Sequence, residues 1–104
     1  MQNLINIPYK ELAPGILTKL VHGKNITLSV VEIKKGSKLP KHHHIHEQIT
    51  FIVEGELKMT IGRKTNVLTP GTVHVIPSNV PHSAIALTDC RVIDVFNPVR
   101  EDYK

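Results

Sequence analysis

Apolar and polar residues alternate with a period of two along most of this chain, the pattern of strands with one face buried. Leu57, Met59 and Ile61 alternate with Lys58 and Thr60, and Ile49, Phe51 and Val53 alternate with Thr50 and Ile52. Glu54-Gly55 joins the two runs, and Gly55 can take the positive φ that a tight hairpin demands. Gly62-Arg63-Lys64 and Pro70-Gly71 are further turns, each followed by a short run, at 65–68 and 72–76. More strands are predicted at 17–21, 26–33, 82–87 and 90–96. No window keeps apolar residues at helical spacing without a turn residue cutting it. Many short strands so punctuated mean an all-β sandwich or small barrel.

The 104 residues show no repeat, linker or break in composition, so one domain spanning 1–104 is expected. The segments before Ile16 and after Pro98 read as arms that need a surface to lie against. An apolar fraction of 40% is enough for one core. The net charge of +4 leans basic, but the densest run is only Lys34-Lys35-Gly36-Ser37-Lys38, and 4% aromatic residues make no stacking platform. Nucleic acid is therefore not an expected partner. No stretch approaches membrane-spanning length, so no membrane association is expected. Cys90 is alone and falls in an apolar run, where a buried, inert thiol is the default. A lone cysteine, with no signal-peptide pattern at Met1–Asn6, leads us to expect a cytoplasmic protein.

Four of seven histidines fall in Lys41-His42-His43-His44-Ile45-His46-Glu47-Gln48. On extended chain, residues two apart share a face, so His42 and His44 can aim at one point. Neutral imidazole suits several transition metals. His43 is expected to face solvent, and His46 either forms a cavity wall or is exposed. A second segment, Gly71 to His82, ends in another histidine that opens a strand. His74, within it, reads as a hydrogen-bonded core residue. In the last strand, Val92, Asp94 and Phe96 share one face and Ile93 and Val95 the other. Asp94 is costly to bury unless it is paired or used; otherwise it must reach water at an edge.

The two histidine segments resemble the paired motifs of the cupin superfamily. Gly36, His42, His44 and Gly55 match the first motif, with Gln48 at its glutamate position. Gly71, Pro77 and His82 match the second, while Asn79 stands for its glycine and Ala86 for its asparagine. Asn tolerates left-handed backbone, which makes the Asn79 departure mild. The resemblance implies a double-stranded β-helix (jelly-roll) barrel with its core at about 26–96 and one metal ion near its mouth. His42, His44 and His82 would hold that ion. Gln48 either completes the set or turns aside and leaves water in its place. An amide oxygen cancels no metal charge, so such a site favours an anionic substrate over the two-histidine, one-carboxylate chemistry of many iron oxygenases.

Asp94-Val95-Phe96-Asn97-Pro98-Val99-Arg100-Glu101-Asp102, together with His42-x-His44-x-His46-Glu47-Gln48, is similar to one group in particular, the small pectin-degradation (KdgF-like) cupins. That resemblance implies a homodimer whose arms pair across subunits. It also implies opening of a small 4,5-unsaturated uronate, an anionic sugar, to its linear keto form. Asp94, Phe96 and Arg100 would line the catalytic site, and the cofactor would be one divalent nickel, zinc, manganese or iron ion. A metal-dependent dioxygenase and a non-catalytic small-molecule-binding module are the alternatives that the residues leave open.

Overall fold

Strands form where the alternating runs lie between turn residues. In the computed structural model, which describes residues 1–104, they number ten. They are Lys10–Ala13 (β1), Ile16–His22 (β2), Thr27–Ile33 (β3), Lys38–His42 (β4) and Glu47–Glu54 (β5). Leu57–Ile61 (β6), Lys64–Leu68 (β7), Val73–Ile76 (β8), His82–Ala86 (β9) and Cys90–Asn97 (β10) follow. The only helical pieces are 3-10 turns at Leu4–Asn6 and Glu101–Tyr103. Two antiparallel sheets result, one ordered β1-β2-β3-β10-β5-β8 and the other β4-β9-β6-β7. This is the expected all-β, double-stranded β-helix barrel.

Every strand run predicted from alternation is present, but β1 and β4 have no such run. β4 contains one apolar side chain, Leu39, beside Pro40. It pairs only with β9, at the edge of its sheet, where a proline that cannot donate is tolerated. The N-terminal segment is not a free arm. Its Lys10 and Glu11 pair with Thr18 and Leu17 of the same chain, so β1 extends its own sheet. The C-terminal segment also finds a surface within the chain, since Val99 and Arg100 are buried.

The core gathers at the closed end around Ile52, Leu57 and Ile76, with Ile16, Val31, Met59 and Val92. In β5 the inward set is Gln48, Thr50 and Ile52, so the apolar Ile49 and Phe51 face outward. Both faces of that strand carry apolar residues, and alternation alone does not say which one turns in. Burial of Gln48 and Thr50 runs on into Thr18, Thr27 and Ser29, a row of buried polar side chains on the six-stranded sheet. Such groups need partners, and most of those partners lie in the cavity between the sheets. Gly55 closes the β5–β6 hairpin at φ +87°, and a Cβ there would stand 2.2 Å from the Asp89 carbonyl oxygen. The tight turn thus lets the closed end pack against the chain that leads into β10.

Candidate metal centre

His42 ends β4 and His82 begins β9, and the two are register partners, so one sheet presents both rings side by side with centroids 4.2 Å apart. His44 lies beyond the end of β4, in the connection to β5, and not on extended strand. It still reaches the same point, because its backbone is pinned: the Asn79 amide donates to the His44 carbonyl at 2.8 Å. Asn79 is the one non-glycine residue with positive φ, at 63°, as its place in the motif implies. The metal-binding atoms of His42, His44 and His82 all lie within 4.8 Å of one another.

The hydrogen bonds fix which nitrogen each ring offers. His42 Nδ1 meets the Pro40 carbonyl at 2.8 Å, His44 Nδ1 the His46 carbonyl at 3.0 Å and His82 Nδ1 the Val80 carbonyl at 2.9 Å. A carbonyl oxygen only accepts, so each Nδ1 carries the proton and each neutral ring presents a bare Nε2. Burial, helped by the Arg100 and His82 charges, lowers the His44 pKa to about 4. Burial likewise pulls His82 down. Both are therefore neutral near pH 7. The His82 Nε2 atom is buried without any partner.

Gln48, 5% exposed on β5, faces this group from the opposite sheet. Its Nε2 donates to Thr50 Oγ1 at 2.9 Å and to Asp94 Oδ1 at 3.1 Å, so its carbonyl oxygen turns the other way, 3.1 Å from His44 Nε2. Two lone pairs thus face each other with no proton between them. Together with the orphaned His82 nitrogen, this donor set fits a cation.

Asp94, on β10, is not at an edge: β10 lies between β3 and β5. Thr50 donates to Asp94 Oδ1 at 2.8 Å. Burial raises the Asp94 carboxyl to about pH 6, although the Thr50 and Gln48 hydrogen bonds and the Arg100 charge pull the other way. Phe96, 4% exposed, sets its ring edge-on to His44 at 5.7 Å. Arg100 follows the strand and is also buried; its backbone amide donates to Thr27 Oγ1 at 2.9 Å, which carries the side chain inward. The guanidinium carbon sits 4.7 Å from the Phe96 ring centre and 3.9 Å from that of Tyr103. His42, His44, Gln48, His82, Asp94, Phe96 and Arg100 all line one cavity between the two sheets.

A sequence profile described as "Cupin domain" matches residues 29–96. The chain belongs to the cupin family. It is 30% identical over 99 residues to the pectin degradation protein KdgF of Dickeya dadantii, covering 92% of this chain and 90% of that one. The solved structure of KdgF from a Halomonas species superposes with a TM-score of 0.88 at 31% identity, covering 93% of this chain and 91% of the other. An RmlC-like cupin from Shewanella frigidimarina superposes at 0.94 with 26% identity, covering 99% of this chain and 94% of that structure.

The cupin barrel therefore brings all seven candidate residues together and leaves His43 and His74 outside the cluster. His43 is exposed. His74 is on the inward side of β8 with Ile76, opposite Thr50, but it is half-exposed and outside the core cluster, which Ile76 joins. His46 is buried beside the site, with its ring 5.4 Å from that of His44, and its carbonyl sets the His44 tautomer. Cys90 is buried, and burial raises its pKa, as fits an inert thiol. Two lining residues escape a reading of the sequence. Thr50 shares the Gln48 face by its spacing of two, and Tyr103 lies one residue past the tail motif.

In this cupin the Asp94 shift has a sign that can be measured in the metal-free protein. A carboxyl that titrates near 6 when folded and near 3.9 when unfolded favours folding below that window and loses the benefit as pH rises through it. Asp94→Asn removes the titration. The stability of the variant relative to wild type, from urea unfolding of chelator-treated protein, should rise between pH 4 and pH 7 by about 2–3 kcal/mol. Comparison with the variant cancels the opposing histidine contributions.

Proposed function

We propose that this cupin binds one divalent transition metal through Nε2 of His42, His44 and His82 and through Oε1 of Gln48. With it, the protein opens a small 4,5-unsaturated uronate to its linear keto form. The observation that carries the reading is that a cation-shaped donor set, a carboxyl poised near neutrality and a buried guanidinium share one cavity. Kinship with KdgF proteins, one of them named for pectin degradation, supports a sugar substrate of this kind.

In such a sugar the ring oxygen joins the anomeric carbon, C1, to the alkene carbon C5. Opening moves the C1 hydroxyl proton away, forms the C1 carbonyl and breaks the C1–ring oxygen bond, leaving an enol at C5. Ketonisation then places a proton on C4 and forms the C5 carbonyl. The sum is an isomerisation, with no oxidant and no net proton. Asp94 is suited to carry that proton, because a group titrating near the working pH can both accept and donate. Its Oδ1 already takes both protein hydrogen bonds, which leaves Oδ2 for the substrate. The bound metal would supply Lewis-acid polarisation of substrate oxygens.

Arg100 is not wholly free. Its Nε and Nη2 donate to Asp102 Oδ1 at 3.0 Å and Oδ2 at 2.8 Å. A guanidinium has five N–H donors, and this side-on pair leaves the end-on fork of Nη1 and Nη2 for the sugar carboxylate. Phe96 provides the apolar wall beneath the ring. The salicylate dioxygenase structures share only the fold with this chain, at 18–19% identity, and no observation favours oxygen chemistry.

We also propose that a second copy of the chain covers the outer face of the six-stranded sheet. Two cross-strand rows there are apolar: Val30, Ile93, Phe51 and Val73, and Val21, Leu28, Val95, Ile49 and Val75. Ile49, Phe51, Val73 and Val75 are 44%, 36%, 58% and 48% exposed. Beside them Lys19 donates to the Leu4 carbonyl and sits over the Tyr9 ring, adding the exposed Leu4, Ile5 and Tyr9 to the patch. An exposed apolar face of this kind is what a partner surface is expected to cover. Arg91 and Glu32 at its margin are already paired at 2.8 Å, which leaves an apolar, self-complementary face and not a charged one.

The activity is tested with freshly generated 4,5-unsaturated galacturonate by following loss of its ultraviolet absorbance. Wild type should exceed the uncatalysed rate; Asp94→Asn should lower kcat about 10²–10⁴-fold, and Arg100→Ala should chiefly raise KM. A wild-type rate equal to background removes the proposed reaction. The assembly is tested by light scattering during size exclusion: wild type should have twice the mass of the chain and Phe51→Lys the mass of one. A monomeric wild type at micromolar concentration contradicts the proposed interface.

A further inference from the structure

An amide side chain is nearly symmetric in shape. Rotation by half a turn exchanges its oxygen and its NH₂ at little steric cost, so its orientation is set by its partners. For Gln48 the choice decides what the site can bind. With the oxygen toward His44, the pair presents two lone pairs to a cation. With the NH₂ toward His44, the amide would donate to His44 Nε2 and satisfy that nitrogen without any metal.

We infer that Thr50 is a positioning residue that holds the Gln48 amide with its oxygen toward the metal point. Thr50 is 1% exposed on the inward face of β5, two residues beyond Gln48. Its hydroxyl has one hydrogen, which is committed to Asp94 Oδ1 at 2.8 Å. What it offers to Gln48 is therefore a lone pair, and the Gln48 NH₂ lies 2.9 Å from it. Asp94 Oδ1, 3.1 Å from the same NH₂, is a second acceptor on that side. The flipped amide would bring its carbonyl oxygen against both acceptors at once. The two acceptors thus exclude the orientation that would close the site, and the order runs from Asp94 through Thr50 to Gln48 and then to the ion.

Thr50 itself lies one residue removed from the ion, so its removal acts on the ligand and not on the coordination number directly. Partners of metal ligands in this position are worth about 10–100-fold in metal affinity. The inference rests on the proposed ligation by Gln48, and the test keeps the two apart.

Tag-free full-length protein is stripped with a chelator and titrated with cobalt(II), reading affinity by chelator competition and the ligand field from the visible spectrum. Gln48→Ala, Thr50→Val and Thr50→Ser are compared with wild type, with thermal unfolding as a check on each fold. Thr50→Val should weaken binding about 10-fold or more and shift the spectrum toward that of Gln48→Ala. Thr50→Ser, which keeps the hydroxyl, should stay within about twofold of wild type. If Gln48→Ala weakens binding but Thr50→Val leaves affinity and spectrum unchanged, the positioning role falls while Gln48 remains a ligand. If Gln48→Ala itself changes neither, ligation by Gln48 falls and takes the inference with it. Thr50→Ala makes the same deletion and gives the same reading should the valine variant not fold.

Discussion

The site depends on one contact that ordinary hydrogen bonding cannot satisfy. His44 Nε2 and Gln48 Oε1 stand 3.1 Å apart, and both are acceptors, because the other ends of both groups are already donating. Between partly buried groups such an arrangement is unfavourable unless a positive charge lies between the lone pairs. The bare Nε2 of His82, buried with nothing to meet it, repeats the demand from the opposite sheet. The chain bears this cost in its metal-free form, and that is the physical reason to read the cluster as a site and not as packing.

The chemistry proposed around that point follows from its charge. Three imidazoles and an amide carry no charge, so a divalent ion held by them would keep its full +2 inside the barrel. Arg100 adds a second positive group, itself buried against Phe96 and Tyr103. Asp94 is the negative group facing both, and it is held partly protonated by burial. A cavity with this balance suits an anionic ligand and a proton that changes places within it. The barrel makes the balance possible, since β10 and β5 supply Asp94 and Gln48 from one sheet while β4 and β9 supply His42 and His82 from the other.

Much of this was legible in the sequence. The period-two runs located eight of the ten strands, and the spacing of His42, His44 and His82 relative to the glycines and Pro77 identified the barrel. What the pattern could not supply was the phase of β5, where apolar side chains lie on both faces, or the existence of β4, whose strand form comes from pairing with β9 and not from its own residues. The spacing of two between His42 and His44 led to the right convergence by a route that is only partly right, because His44 is off the strand and is placed by its bond from Asn79. Thr50 and Tyr103 were missed for a shared reason. A buried hydroxyl and a tail aromatic carry no signal until the surrounding residues are seen, and here those residues are distant in sequence: Asp94 for Thr50, and Phe96 with Arg100 for Tyr103.

The most direct measurement is diffraction from crystals of tag-free protein, with data collected on either side of the absorption edge of the metal found in it. The account predicts one anomalous peak per chain, about 2.0–2.2 Å from Nε2 of His42, His44 and His82 and from the Gln48 side-chain oxygen. No peak after soaking with nickel or zinc, or a peak on Nδ1 atoms or on surface histidines alone, would contradict it.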